Sequence, residues 1–281
     1  MPARLRPFSV GELLDGAFSL YRRNFISFFA IALIPQVPLI LLWLALPFIA
    51  SSGGEAVITS TTAVSLPYSS FVAVLIWAAL VFGSMRGYEG TEVSASEALR
   101  VGLRKLVPSF VAYIVVLVLM FFVLIMLAIP AAVLASPAAI GAAIFFGVIF
   151  AIAIAPMFFA VIPAIVVENR GPFEALGRSR RLSKGARLRI LGVFIIAFFI
   201  AMLPVMAFSV FAGVAAAAGM AGGGNPTLSF GWQAVVQAGS FVLSALTTPY
   251  SVAALTLLYV DRRARTEAPD LEEAAARLSQ V

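Results

Sequence analysis

Any chemistry in this chain falls to carboxylates, amides and guanidinium groups, because its 281 residues include neither His nor Cys. Lack of His removes the commonest general base, the usual switch near neutral pH and the commonest metal ligand. Lack of Cys removes disulfides, thiol redox chemistry and thiolate–metal sites. No metal and no cofactor is expected. Ionisable groups inside a membrane span are costly and usually functional, yet the long apolar runs of this chain hold none in their central parts. Glu168, Arg86 and Asp261 stand instead at the inner ends of the fourth, second and sixth runs. Glu168 reads as a carboxylate at the water boundary, before the Asn169-Arg170-Gly171 turn. The sharper alternative makes it the partner of Arg86 or of a loop arginine. An intramembrane enzyme would need Glu168, Asp261 and other polar groups gathered around a cavity. No phosphate loop, dinucleotide fingerprint or nucleophile–base pair accompanies them, so a protein without catalytic activity is expected.

Gln36, Gln233 and Gln237 are the most polar residues placed to enter hydrocarbon. Amides there usually join helices through hydrogen bonds worth about 1 kcal/mol; the alternative is a polar pathway or headgroup contact. Pro35, Pro38, Pro47, Pro130, Pro156, Pro163, Pro204 and Pro249 also fall within the apolar runs. Each removes a backbone hydrogen bond. Neighbouring helices often compensate, while broken spans can instead line a substrate route.

The elements that hold these residues are set by hydrophobicity and charge. The chain is 62% apolar and 11% charged, with a mean hydropathy of +1.05, which describes a membrane protein. Crossing ~30 Å of hydrocarbon takes roughly 20 apolar residues. Six runs qualify, at about 25–50, 67–86, 108–134, 138–167, 188–217 and 232–260. All 19 Lys and Arg lie before the first run, between the second and third, between the fourth and fifth, or after the sixth. Cytoplasmic loops collect such residues, so both ends are expected in the cytoplasm. The first run is too long for a cleaved signal and reads as an anchor. The pI of 10.2 follows from topology and anionic headgroups, and no nucleic acid is expected as a partner.

Amphipathic helices precede three of the spans. Ser9 and Glu12 have capping-box spacing, and Val10, Leu13, Leu14, Ala17, Phe18 and Tyr21 follow on one face. Ser94 and Glu97 repeat the box, ahead of Ala95, Ala98, Leu99, Leu103 and Leu106. A weaker copy opens at Gly171-Pro172-Phe173-Glu174. In each copy a small residue, Ala17, Gly102 or Ser179, stands five after the Glu. The fold expected is all-α: a polytopic bundle of six transmembrane helices with three cytoplasmic interfacial amphipathic helices. It would form a single integral membrane domain over 1–281. Three units are possible, 9–86, 94–167 and 171–260, each a helix plus a two-span hairpin, before a cytoplasmic tail at 261–281 with its own helix start near Pro269. Units with even numbers of spans all point the same way, which disfavours inverted transporter repeats. The acidic and basic motif of mitochondrial three-repeat carriers is missing.

Three segments carry a family resemblance: Gly11-Glu12-Leu-Leu-Asp15-Gly16-Ala17-Phe18-Ser-Leu-Tyr21-Arg22, the loop from Pro163 through Glu168 to Arg187, and the tail from Leu257 through Tyr259 and Asp261 to Glu272. The chain resembles bacterial membrane proteins related to the glycerophosphoryl diester phosphodiesterase membrane domain. The resemblance implies six spans and a bacterial inner membrane. It carries over no catalytic residue, because the phosphodiesterase of that family is a separate soluble domain that uses His. The expected role is therefore non-catalytic, on membrane lipids or a partner membrane protein at the cytoplasmic leaflet. Arg22, Arg23, Arg104, Lys105, Arg178, Arg181 and Lys184 are the candidate contacts for anionic headgroups, their alternative reading being topology determinants alone. A transporter or lipid-translocating protein with Pro-broken spans is the other candidate.

Overall fold

A chain segment in hydrocarbon must satisfy its own backbone hydrogen bonds, so apolar runs of this length become helices. The computed structural model describes residues 8–49, 54–134, 136–221 and 226–278; Arg4, Arg6 and the Gly222–Asn225 breaker lie outside them. Among the described residues there are eleven α-helices and no strand. They are α1 (Val10–Arg23), α2 (Phe25–Leu33), α3 (Val37–Ile49), α4 (Gly54–Tyr88), α5 (Ala95–Arg104), α6 (Leu106–Leu134), α7 (Pro137–Ile154), α8 (Val161–Val167), α9 (Pro172–Ser183), α10 (Arg187–Ala221) and α11 (Pro226–Leu278). Six stretches are long and apolar enough to cross a membrane: Phe25–Phe48, Ser65–Tyr88, Leu106–Met126, Pro137–Val167, Arg187–Ala215 and Gly231–Glu267. The protein is a polytopic all-α membrane bundle. Large side chains such as Val118, Phe121, Phe211 and Val214 stand more than 60% exposed, a surface that only lipid or another apolar partner would cover.

Two spans are interrupted where proline removes an amide donor. A 3-10 turn at Ile34–Gln36 separates α2 from α3, and another at Ala155–Met157 separates α7 from α8. Pro67 and Pro204, by contrast, are carried inside continuous helices. The last helix corrects the expected boundary: it runs unbroken through residue 261 and past Pro269, with no separate tail helix. Asp261 with Arg265, and Arg263 with Glu267, form i,i+4 ion pairs just beyond the expected end at residue 260, and such pairs favour helix. The stretch between the first two apolar runs is likewise helical from Gly54 onward.

The three amphipathic helices turn part of their apolar stripes toward protein, leaving Phe18, Leu103 and Phe173 exposed. On α1, Leu13, Ala17 and Leu20 are buried, and the Ser9–Glu12 box forms with both of its hydrogen bonds. The second box does not form. Ser94 Oγ lies 3.1 Å from Ser96 Oγ, while Glu97 reaches Arg86 at 3.6 Å, so both capping side chains are drawn elsewhere. Docking follows a cyclic order. Helix α5 packs on α4 and α2, α9 on α8 and α6, and α1 on α11 and α10. Each helix thus sits beneath the hairpin preceding it, and α1 closes onto the last. The small residues mark the closest approaches. Ala17 and Ser179 are fully buried, and a Cβ on Gly102 would lie 3.0 Å from Ala79 Cβ and 3.1 Å from the Leu75 carbonyl oxygen. The Gly83–Gly87 pair serves the same purpose. A Cβ there would meet Phe28 at 3.2 Å and Leu20 at 2.7 Å, where the junction of α1 and α2 crosses α4.

Overpacking of this kind typically costs about 1–3 kcal/mol. Gly102→Val should lower the melting temperature in detergent by several degrees. Gly11→Ala, whose added Cβ meets nothing within 4 Å, should leave it unchanged. Equal melting of the two variants would contradict the close docking of α5 on α4.

Candidate functional site

A carboxylate can stay charged away from water only with donors around it. Two such carboxylates organise the charged face of the bundle. Glu168 follows the end of α8, with 8% of its side chain exposed. Arg170 Nε donates to its Oε2 at 2.5 Å, and Arg178 donates to Oε1 from both Nε and Nη2 at 3.0 Å. The Tyr259 hydroxyl also donates to Oε1. Burial alone would raise the Glu168 pKa, but the hydrogen bonds from Tyr259, Arg170 and Arg178 outweigh it and hold the carboxyl at about 2, below its usual 4.5. Arg178 is itself held by Glu267, and Arg263 Nε donates to the other oxygen of Glu267 at 2.9 Å.

Asp261 is the second centre, with 1% of its side chain exposed. Its carboxylate accepts from the Phe8 amide at 3.0 Å, pairs with Arg189 at 3.2 Å and takes two hydrogen bonds from Arg265. Arg189 and Arg265 both also donate to the Phe8 carbonyl. Arg262, next to Asp261 on α11, donates to the carbonyls of Leu182 and Lys184 at 3.1 and 3.2 Å. These carbonyls close α9, where a helix presents unpaired acceptors and negative partial charge. One segment of α11 therefore ties down the start of α1, the end of α8, the middle and end of α9 and the start of α10.

The sequence readings fare unevenly here. Glu168 is bonded to loop arginines and not to Arg86, which pairs with Glu97. Glu168 and Asp261 belong to separate ion networks and do not form one catalytic pair. Arg178 is turned inward and held by two carboxylates, because its position on α9 faces α11. Lys105 is partly occupied, donating to Asn169 Oδ1 at 2.6 Å. Arg22, Arg23, Arg104, Arg181 and Lys184 are exposed and make no ion pair among the described residues. Arg23 also borders a cavity of about 300 Å³ between α1, α4 and α11, together with Glu12, Ser19 and Tyr88. Gln36 is buried and donates to the Ala32 carbonyl of its own helix at 2.8 Å. Gln233 is exposed and Gln237 half-buried, and neither bonds to Gln36, so the three amides form no continuous polar path.

Tyr259, Arg189, Arg262 and Arg265 were missed as members of the networks. Their signal was present. Tyr259, Arg263 and Glu267 recur at i, i+4 and i+8, as one stripe, and Asp261 with Arg265 forms the next. An assumed helix end at residue 260 hid both. Ser179 was noticed only for its size. Its hydroxyl accepts the Ala160 amide at 3.0 Å, so α9 satisfies a backbone group freed by the interruption in the fourth span.

The chain belongs to a family described as a domain of unknown function (DUF7847), whose model matches residues 8–261. No curated protein and no solved structure matches it.

Because the Glu168 carboxyl is held down at about 2, its contribution to stability is complete above the ordinary carboxylate pKa near 4.5. It is lost as pH falls through 4.5 toward 2. Removing one partner of a buried pair typically costs about 3–5 kcal/mol. Glu168→Gln should therefore melt lower than the parent at pH 7 and lose less additional stability between pH 5 and 3. Parallel pH profiles for the two proteins would remove Glu168 as the titrating group.

Proposed function

We propose that this protein is a non-catalytic membrane protein that binds anionic lipid headgroups at the cytoplasmic leaflet of a bacterial inner membrane. The observation that carries this reading is the division of labour among the cations. Arg170, Arg178, Arg189, Arg262 and Arg265 are spent on protein carboxylates or carbonyls, whereas Arg22, Arg23, Arg104, Arg181 and Lys184 are exposed and have no carboxylate partner among the described residues. Exposed Phe18, Leu103 and Phe173 lie on the same three helices. Cationic residues beside exposed apolar ones suit a headgroup–acyl boundary. The use of Glu168 and Asp261 as ion-pair centres supports a role without acid–base catalysis. The resemblance to glycerophosphoryl diester phosphodiesterase membrane domains supports the same setting and supplies no activity.

A transporter or lipid-translocating role is the second reading, favoured by the interruptions at Ile34–Gln36 and Ala155–Met157. Interrupted helices recur where transporters hold substrate.

Each juxtamembrane cation is worth about 1 kcal/mol near an anionic surface. Replacing Arg181 and Lys184 by Gln should lower the enrichment of phosphatidylglycerol over phosphatidylcholine by roughly thirty-fold, measured by mass spectrometry of co-purified lipid. Arg178→Gln should lower the melting temperature and leave that enrichment intact. Unchanged enrichment in the double variant would defeat the headgroup reading, and a stoichiometric co-purifying protein would replace it with a partner. Orientation has its own check, since the parent has no Cys. A single Cys introduced at Ser94 should react with impermeant maleimide only from the cytoplasmic side, and one at Ser136 only from the other.

A further inference from the structure

Between the first, second and sixth spans lies a chamber of about 250 Å³, lined by Gln36, Ser69, Trp77, Phe241, Ser244 and Thr248 among others. At about 30 Å³ each it has room for roughly eight waters. Gln36 and Trp77 stand midway along the Phe25–Phe48 and Ser65–Tyr88 spans, so the chamber lies at mid-depth in the bilayer. The first span is interrupted beside it, at Ile34–Gln36.

Polar groups at this depth need a reason. The usual one, joining helices, does not apply to Gln36. Its amide nitrogen donates to Ala32 of its own helix, and its Oε1 makes no hydrogen bond among the described residues. Ser244 and Thr248 face each other at 3.4 Å, a long hydrogen bond that leaves both hydroxyls with spare capacity. Three polar groups on two different spans thus border one cavity without bonding across it. Among the described residues no ionisable side chain lines the chamber, and an ion would meet a large desolvation cost there.

We infer that this chamber is a binding site for an uncharged, hydroxyl- or carbonyl-bearing ligand. Gln36 Oε1 accepts from a ligand hydroxyl, and Ser244 or Thr248 donates to a ligand oxygen. The glycerol end of a neutral lipid and a small uncharged solute share this chemistry. The inference is independent of the headgroup reading, since none of its residues is a cation.

The test is equilibrium binding of tritiated dioleoylglycerol and tritiated glycerol to the full chain in nanodiscs, with protein-free discs as baseline. Saturable binding of either probe is expected: dioleoylglycerol alone assigns a lipid, glycerol alone a solute. Gln36→Leu should weaken binding about ten-fold, the loss of one well-made hydrogen bond to a ligand. Thr248→Val should weaken it in the same direction with an unchanged melting temperature, which covers the case of a Gln36 variant that fails to fold. Replacing Arg181 and Lys184 should leave it unaltered. Absence of saturable binding by both probes, or binding untouched by both chamber substitutions, would overturn the assignment.

Discussion

The buried carboxylate of Glu168 is the interaction on which the charged half of the molecule depends. A single negative group, shielded from water, requires donors from every side, and it draws them from Arg170, from α9 through Arg178 and from α11 through Tyr259. Removing any one donor leaves the charge less compensated. Asp261 repeats the arrangement for α1, α10 and α11. Between the two centres, five helices that have little hydrophobic reason to choose one another in lipid are given fixed neighbours.

The apolar half obeys a different rule. Where lipid is as favourable a neighbour as Leu, close packing has to come from small side chains and interhelical polar bonds. Gly83, Gly87 and Gly102 supply the first. Ser179 supplies the second, by taking up the Ala160 amide at the interruption of the fourth span. The amphipathic helices thereby act as wedges seated along the spans, and only their outer faces are left for headgroups.

Much of this was readable from residue types. Six apolar stretches, the one-sided Lys and Arg, and the Ser9–Glu12 cap depend on composition and local spacing, which a single chain displays directly. Ser94 and Glu97 show the limit. They have the same spacing as Ser9 and Glu12, yet Arg86, contributed by a different helix, claims Glu97. Arg178 shows it again: on a helical wheel it sits with the solvent-facing cations, and only the position of α11 turns it inward. Where an outcome depends on which element arrives alongside, local pattern says nothing. The extension of α11 past residue 260 is an intermediate case, since its i,i+4 charge pairs were visible but a change from apolar to polar composition suggested a stop.

The closure of α1 onto the last hairpin bears on how the protein is made. Phe8 and Asp261, which bond directly, are 253 positions apart in the chain. Helix α1 docks chiefly on α11, so much of the surface that covers Leu13 and Ala17 is absent until the sixth span has been inserted. A chain truncated before Tyr250 therefore leaves α1 without its main docking surface.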